Sequence, residues 1–201
     1  MTNKIITISR EYGSGGRTVG ELVAKKLGIP FYDKEVVNAV AEECGFSHDF
    51  IEEIGEYASV TNSFLFSIAV SSRLEGTTNM MSAADQLYAC QAKFIREMVE
   101  KGPCVIVGRC ADYILKDTPN VLHAFVYADM DFRAKYMAEN YNKSEHAVQK
   151  WLKERDNRRK VYCKHYTGRN WGDMHNYDIC LNTGIMGIEK AADLLAALAE
   201  E

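Results

Sequence analysis

The segment GSGGRT, residues 13–18, combines three glycines with a serine, an arginine and a threonine. It lies between the apolar stretch IITI and the amphipathic stretch RTVGELVAKKLG, so it is expected to join a buried strand to a helix. Backbone N–H groups at the start of a helix attract phosphate, and glycines let the backbone approach the anion closely. The spacing therefore predicts a phosphate-binding loop made of Gly13, Ser14, Gly15, Gly16, Arg17 and Thr18.

This loop matches two phosphate-binding patterns in part. The P-loop pattern GxxxxGK[ST] is met at its end by residues 16–18, but Glu11 replaces its first glycine and Arg17 its lysine. On that alignment the hydroxyl of Thr18 would join the coordination shell of Mg²⁺. The dinucleotide pattern GxGxxG is met at residues 13–15 and lacks its third glycine, and Asp33 resembles a ribose-binding acid. The loop alone predicts phosphate binding and leaves both alternatives open.

A basic run, KERDNRRKVYCKHYTGR, lies near the end of a second candidate helix. Steps of four and three residues place one set of side chains on a single helical face: Val148, Leu152, Arg155, Arg159, Tyr162 and Tyr166. Because the apolar start of this face is expected to pack inward, its arginines should point toward the same interior, with Arg158 beside them. Guanidinium groups held inside a protein need an anionic partner, and polyphosphate fits them well. The alternative is a solvated basic face.

We expect these arginines to be unpaired or solvated until phosphates bind. Their mutual repulsion would then keep the segment from about residue 155 to 171 open and mobile, and nucleotides would order it.

Two further side chains follow predicted strands. Arg109 ends the apolar stretch CVIVGR, and Asp33 ends IPFYD, so both should reach the ligand-binding edge of the sheet. Together they could bind the phosphate and the ribose or base of a nucleotide, or they could pair with each other. Gln91 is polar on an otherwise apolar helical stripe, and a core glutamine with internal hydrogen bonds is the simpler interpretation. Asp129 could support Mg²⁺ or cap the following helix.

The remaining sequence positions these residues. Apolar stretches predict strands at 4–9, 29–33, 104–109, 121–129 and 177–183. Amphipathic stretches predict helices at 17–28, 34–44, 48–57, 82–102 and 131–140, from 144 onward, and after the last strand. Nearly continuous apolar strands that alternate with helices are typical of an α/β protein with a parallel sheet covered on both faces.

Composition limits the classes of protein. The chain has 201 residues, of which 47% are hydrophobic, so one domain with a substantial core is expected. A net charge of −4 argues against general affinity for nucleic acid or for a membrane surface, and no apolar run is long enough to span a bilayer. The six cysteines form no CxxC pair, so zinc and redox motifs lack support. A cytoplasmic location is expected, and the sequence does not determine the oligomeric state.

Taken together, these segments resemble the cytidylate kinase-like branch of the P-loop nucleoside monophosphate kinases. The resemblance extends over most of the chain and rests on the following segments: ISREYGSGGRTVG, IPFYDKEVV, VIVGRCADYIL, RDNRR, YTGRNW and YDICLNTGIMGIEKAADLL. Asp156 and Arg159 match the D-x-x-R of the family's lid, and Arg109 matches its Gly-Arg motif. The sequence departs from the family pattern at Arg17, where a lysine is usual, and at DKEVVNAV, where S-G-x-x-Y-R is usual.

The resemblance implies a single P-loop kinase domain over residues 1–201: a three-layer sandwich with a parallel sheet of about five strands and a helical lid. It implies an acceptor region at about 34–100, a lid at about 144–172, and transfer of the ATP γ-phosphoryl, with Mg²⁺, to a nucleoside monophosphate such as CMP or dCMP. The implied catalytic residues are Arg17, Arg155, Arg158 and Arg159. Those implied for the acceptor are Asp33, Arg109, Asp156 and Arg159, and Thr18 is implied for the metal. A nucleotide-binding regulator without turnover and an NAD-linked oxidoreductase are the alternatives.

Overall fold

A computed structural model of the chain describes residues 5–33, 45–48, 82–141 and 145–200. Within these ranges the strands form one parallel sheet. They are β1 Ile5–Arg10, β2 Phe31–Tyr32, β3 Val105–Val107, β4 Val121–Tyr127 and β5 Ile179–Asn182. The predicted parallel sheet of about five strands is therefore confirmed, although β2 and β3 are shorter than their apolar stretches suggested.

The longer described helices follow the amphipathic stretches closely, whereas the four-residue helices at Ala111–Ile114 and Thr183–Met186 were not predicted. The described helices are α1 Gly16–Leu27, α2 Ala83–Glu100, α3 Ala111–Ile114, α4 Met130–Tyr141, α5 Glu145–Thr167, α6 Thr183–Met186 and α7 Ile188–Glu200, with a 3₁₀ turn at Met174–Asn176. Ser82 caps α2, since its side chain accepts a hydrogen bond from the backbone N–H of Asp85. Gly28 ends α1 in the left-handed region, as a terminating glycine does. The helix predicted at 34–44 and most of the one at 48–57 lie outside the described residues.

The strand order separates the two phosphate-binding alternatives. The order is β2-β3-β1-β4-β5, so β3 lies between β2 and β1. In the dinucleotide-binding fold the first and second strands are neighbours. Here Ile6 of β1 is in register with Val105 of β3 on one side and with Leu122 of β4 on the other. The dinucleotide alternative is therefore wrong for this chain.

Helices cover both faces of the sheet. On one face α1 and α7 pack against the strands, with Val23 and Leu195 fully buried beside Ile6. On the other face α2 and α3 pack, with Ile95 against Ile106. Burying a side chain of this size contributes about 1.5–3 kcal/mol relative to exposure. These two apolar layers hold the strands parallel, so the carboxyl ends of β1, β2, β3 and β4 meet at one edge.

The helices α4 and α5 form a smaller apolar cluster at that edge, built from Ala134, Met137, Val148 and Leu152. None of the helices in the described ranges combines the length and the apolar character needed to cross a membrane. Of the cysteines described, Cys104, Cys110, Cys163 and Cys180 are free thiols, whereas Cys90 is disulfide-bonded.

Candidate active site

The segment between β1 and α1 forms a tight loop at the carboxyl edge of the sheet. Gly13 and Gly15 both adopt positive φ angles, 80° and 75°. A Cβ atom on Gly13 would lie 2.9 Å from Cγ of Met137, so glycine is required there by both conformation and space. The cap residue of α1, Gly15, offers no side-chain hydrogen bond, and the first turn of α1 contains no acidic residue. The start of α1 is thus suited to bind an anion through its backbone N–H groups.

Hydrogen bonds from distant elements fix this loop. Oγ of Ser14 donates to the carbonyl oxygens of Glu11, at 2.9 Å, and of Val126, at 3.1 Å. Oγ1 of Thr183, the first residue of α6, donates to the carbonyl oxygen of Ser14 at 2.7 Å. The loop conformation is therefore set by β4 and α6 as well as by its own glycines.

Glu11 stands where the P-loop pattern has its first glycine, and its side chain has a structural role. Its Oε2 accepts from the backbone N–H of Ala128 at 3.3 Å and lies 3.5 Å from Nε of Arg133. Burial raises the pKa of Glu11, while the Arg133 guanidinium acts to lower it. In the sequence Glu11 is only a departure from the P-loop pattern, whereas in the structure it ties the loop to the end of β4.

Arg17 and Asp33 form an ion pair beneath the loop. Nε and Nη2 of Arg17 lie 2.8 and 2.7 Å from the same oxygen, Oδ2, of Asp33. The Arg17 side chain is 54% exposed, whereas that of Asp33 is 8% exposed. The pairing of Asp33 with Arg109 was one alternative from the sequence, but the ion pair described for Asp33 is with Arg17. The residue replacing the P-loop lysine thus contacts the acid that ends β2.

Arg109 lies in an unusual turn after β3. Gly108, Arg109 and Cys110 have successive φ angles of 79°, 58° and 52°. Non-glycine residues are strained in this region, and such strain concentrates at functional sites. The Arg109 side chain is buried, and its charge acts to lower the pKa of Tyr162, although burial raises that pKa overall. The guanidinium therefore lies close to α5, at the edge where the sequence predicted it.

The inward face predicted for α5 is confirmed. Val148, Leu152 and Tyr162 are all buried. Arg159 is buried as well, and its Nη1 donates to the carbonyl oxygen of Arg10 at 2.7 Å. The expectation that this arginine is solvated or unpaired is wrong, because the carbonyl at the end of β1 accepts from it.

The other two arginines of α5 differ in their surroundings. The Arg155 guanidinium lies 5.9 Å from the ring centre of Tyr12 and 5.2 Å from that of Trp151. This geometry suits a cation–π contact beside the loop. Arg158 is exposed, so the expectation of a third inward guanidinium is not met. One residue along a helix turns a side chain by about 100°, which takes Arg158 off the face of Arg159.

Asp156, predicted to bind the acceptor, has two internal partners. Its Oδ1 accepts from the backbone N–H of Tyr12 at 2.8 Å, and its Oδ2 accepts from Nη1 of Arg133 at 2.6 Å. These bonds connect α5 and α4 to Tyr12, the residue that follows Glu11. Contact with an acceptor stays a prediction for Asp156. Sequence reasoning missed Arg133, whose place between Met130 and Met137 on the inward stripe of α4 was the available signal.

Asp129 is the cap of α4, since its Oδ1 accepts from the backbone N–H of Phe132 at 2.8 Å. Of the two interpretations from the sequence, helix capping is therefore confirmed.

A small cavity lies between β1, the turn after β3 and α5. Its lining includes Ser9, Asp112, Arg159 and Cys163. Oγ of Ser9 donates to Oδ1 of Asp112 at 3.1 Å. Burial raises the pKa of Asp112, and the hydrogen bond with Cys110 lowers that of Cys163. A buried carboxyl and a buried guanidinium thus face the same space beside the loop.

The raised pKa of Asp112 predicts a pH-dependent gain in stability for Asp112→Asn. The folded protein holds the Asp112 proton more tightly than the unfolded chain does, so the ionised carboxylate destabilises the fold above the raised pKa. The melting temperature of Asp112→Asn should exceed that of the wild type near pH 7. The difference should shrink as pH falls through the raised pKa toward the ordinary value. Asp117→Asn, at an exposed side chain, is the control. A difference in melting temperature between wild type and Asp112→Asn that stays constant from pH 4.5 to 8 would contradict this prediction.

In residues 5–33, 45–48, 82–141 and 145–200 no group of three or more His, Cys, Asp or Glu side chains could hold a metal ion. Mg²⁺ in phosphate-transfer sites keeps several waters and binds substrate phosphates with few protein ligands. Thr18 lies in the first turn of α1, and its role as a metal ligand stays a prediction.

The strand order, the glycine loop and the helix that follows it define a P-loop fold of the kind found in kinases. A solved structure of shikimate kinase from Bacteroides thetaiotaomicron aligns with a TM-score of 0.53. The alignment covers 98% of this chain and 99% of that chain at 15% identity, which shows the shared fold.

A family model described as the cytidylate kinase-like family matches residues 5–185, and the chain belongs to that family. It is 26% identical over 188 residues to a cytidylate kinase from Methanobrevibacter smithii, covering 89% of this chain and 88% of that protein. It is 30% identical to an uncharacterized protein from Eubacterium ventriosum whose solved structure aligns with a TM-score of 0.75, covering 98% and 99% of the two chains.

Proposed function

We propose that this protein is an ATP-dependent nucleoside monophosphate kinase that phosphorylates CMP or dCMP. The observation that carries the proposal is the meeting of the glycine loop, Asp33, Arg109 and Arg159 at one edge of the sheet. Family membership supports the transfer of a phosphoryl group, and the relative from Methanobrevibacter smithii supports the choice of acceptor. The same proposal retains the acceptor region at about 34–100, much of which lies outside the described residues, and the lid at about 144–172.

In this proposal each element of the edge has a separate task. The loop at residues 13–18 binds the phosphates of ATP, with Arg17 in place of the usual lysine. Mg²⁺, with Thr18 as a ligand, would neutralise phosphate charge. Arg109 binds the acceptor phosphate, and Asp33 binds its sugar or base. Direct transfer between two bound nucleotides needs positioning and charge stabilisation and no covalent intermediate on the protein.

The helix α5 closes the proposed site from above the loop. Arg159 and Arg155 lie against Tyr12, 5.1 and 5.9 Å from its ring centre, so both guanidinium groups lie beside the loop that would bind the phosphates. Closure would exclude water, which otherwise accepts the phosphoryl group.

A panel of acceptors tests the proposal. The purified protein is incubated with Mg-ATP and each of CMP, dCMP, UMP, AMP and GMP, and ADP release is measured. We expect the largest kcat/KM with CMP or dCMP. Preference for another base would correct the acceptor, whereas no release above the ATP-only background with any of them would overturn the kinase proposal.

One observation favours a second function, a nucleotide-binding regulator without turnover. Arg17, which stands in the place of the P-loop lysine, is paired with the Asp33 carboxylate at 2.7 Å, so part of its charge is already offset. Tight binding of ATP and CMP by calorimetry, together with no ADP release, would support the regulator.

Arg109 is expected to affect the acceptor and to leave ATP nearly unaffected. It extends from β3, a different strand from the one that precedes the phosphate loop. Replacing it with lysine keeps one charge and removes the planar fork that matches phosphate oxygens, so Arg109→Lys should raise the acceptor KM about tenfold or more. The ATP KM should change less than about twofold. Steady-state kinetics with each substrate varied in turn measures both.

Lys116→Ala is the control for loss of a cation from the same region, since Lys116 is exposed. An equal rise in the two KM values of Arg109→Lys would assign Arg109 to both sites or to the fold.

A further inference from the structure

Gln91, in the middle of α2, is a buried polar residue without a described partner. Its side chain is 1% exposed. Within the part of the chain that the structure describes, neither its Nε2 nor its Oε1 has a hydrogen-bond partner. The sequence-based interpretation of a core glutamine with internal hydrogen bonds is therefore wrong. Buried amides are almost always hydrogen-bonded, because leaving one without partners destabilises the fold.

Packing along α2 places Gln91 near the ligand-binding edge. Phe94 meets the ring of Tyr32 in β2, with ring centres 6.1 Å apart, and Ile95 packs in one cluster with Ile106 of β3. The helix leads into the start of β3, so it runs antiparallel to the strands. Gln91 lies one helical turn before Phe94 and Ile95, and it is therefore closer than they are to the carboxyl ends of the strands.

The distance along the sheet can be estimated from standard geometry. Four helical residues rise about 6 Å, which corresponds to about two residues of a strand. Two residues beyond Ile106 is Gly108, so Gln91 lies at the level of the turn that carries Arg109. On the neighbouring strand, Tyr32 is in register with Ile106, so Asp33 lies one residue short of the level of Gly108.

The surroundings of Gln91 suit a flat aromatic ligand. Tyr88 lies one turn earlier on α2, and its ring stacks on that of Tyr166 in α5 with centres 4.2 Å apart. Residues three apart on a helix share a face, so aromatic surface adjoins the amide. A primary amide offers one donor beside one acceptor, the pattern needed to bind the edge of a nucleobase at two points.

We propose that the side-chain amide of Gln91 hydrogen-bonds the edge of the acceptor's nucleobase and so determines which nucleoside monophosphate is preferred. The proposal rests on the proposed kinase function. Arg109 would hold the phosphate end of the acceptor, and Gln91 would hold the base end. The amide is left without internal partners because the base supplies them.

The variant Gln91→Met tests this role, because methionine has similar volume and no amide. Removing an unpartnered buried amide should leave the melting temperature unchanged or raise it. The KM of the preferred monophosphate should rise about tenfold or more, because two hydrogen bonds to the base are lost. The ATP KM should stay within about twofold, and the differences among CMP, UMP, AMP and GMP should narrow.

Leu87→Met is the matched control, since Leu87 is buried on the same face one turn earlier. Its acceptor KM and base preference should equal those of the wild type. An active wild type together with unchanged acceptor KM and base preference in Gln91→Met would overturn the role of Gln91 and leave the kinase function standing. Loss of folding in Gln91→Met would overturn it too, since the amide would then be structural. A wild type that phosphorylates neither these four nor dCMP would instead overturn the kinase function, and this role with it.

Discussion

Replacing Arg17 with alanine is expected to lower kcat by about two to three orders of magnitude. Such a loss corresponds to about 3–4 kcal/mol of transition-state stabilisation, typical for removal of one preorganised charged contact. Arg17 lies in the first turn of α1, directly after Gly16 of the loop, and pairs with Asp33 at 2.7 Å. On binding ATP, its guanidinium would exchange that carboxylate for phosphate oxygens. Single-turnover measurements at saturating ATP and CMP report the chemical step.

Two further variants help to interpret a loss of kcat in Arg17→Ala. Arg17→Lys should retain part of the rate, because it restores the usual P-loop charge. Lys25→Ala removes an exposed cation from the last turn of the same helix and should leave the rate unchanged. Near-normal turnover in Arg17→Ala would show that the loop holds phosphate through its backbone alone.

Replacing Arg159 with alanine is expected to depress kcat about a hundredfold while changing ATP affinity much less. The charge that this guanidinium meets is largest during transfer, so its loss raises the barrier more than it weakens the ground state. Arg159 is buried and bonded to the carbonyl oxygen of Arg10, so the melting temperature should fall as well. Arg155→Ala, at a partly exposed side chain, should show the kinetic effect with a smaller loss of stability.

Hydrogen exchange is an independent test of whether nucleotides order α5. Binding both nucleotides should increase protection of the backbone from about residue 155 to 171. Lys153→Ala, at an exposed position of α5, should behave as the wild type does in both assays. Equal protection with and without nucleotides, together with normal turnover in Arg155→Ala and Arg159→Ala, would contradict the lid role. An effect of both substitutions on affinity alone would favour the regulator.

Periodicity was sufficient to predict most of the described elements. The strands of the sheet are buried on both sides, so their sequences are nearly continuous apolar runs that stand out from the helices. The face of α5 was also predictable, because the helical repeat continues from Leu152 into Arg159 without interruption. The left-handed turn at Arg109 had a weaker signal, the single glycine before it.

The pairings within the candidate site were not predictable from spacing. Asp156 meets Tyr12, which is 144 residues away, and Arg17 meets Asp33. Such contacts depend on how α4 and α5 approach the sheet, and no local pattern encodes that approach. A charged residue on the inward face of a helix, such as Arg133, indicates that it has a polar partner, but the sequence does not show which residue that partner is.

The hydrogen bond from Thr183 to Ser14 joins positions 169 residues apart. A contact of such long range carries a large loop-closure entropy cost, which other contacts must offset. During synthesis on the ribosome, Ser14 of the glycine loop is made 169 residues before Thr183. A nascent chain that stops before Thr183 therefore holds the loop without this bond. The hydrogen-bonded form of the glycine loop therefore requires that synthesis has passed Thr183.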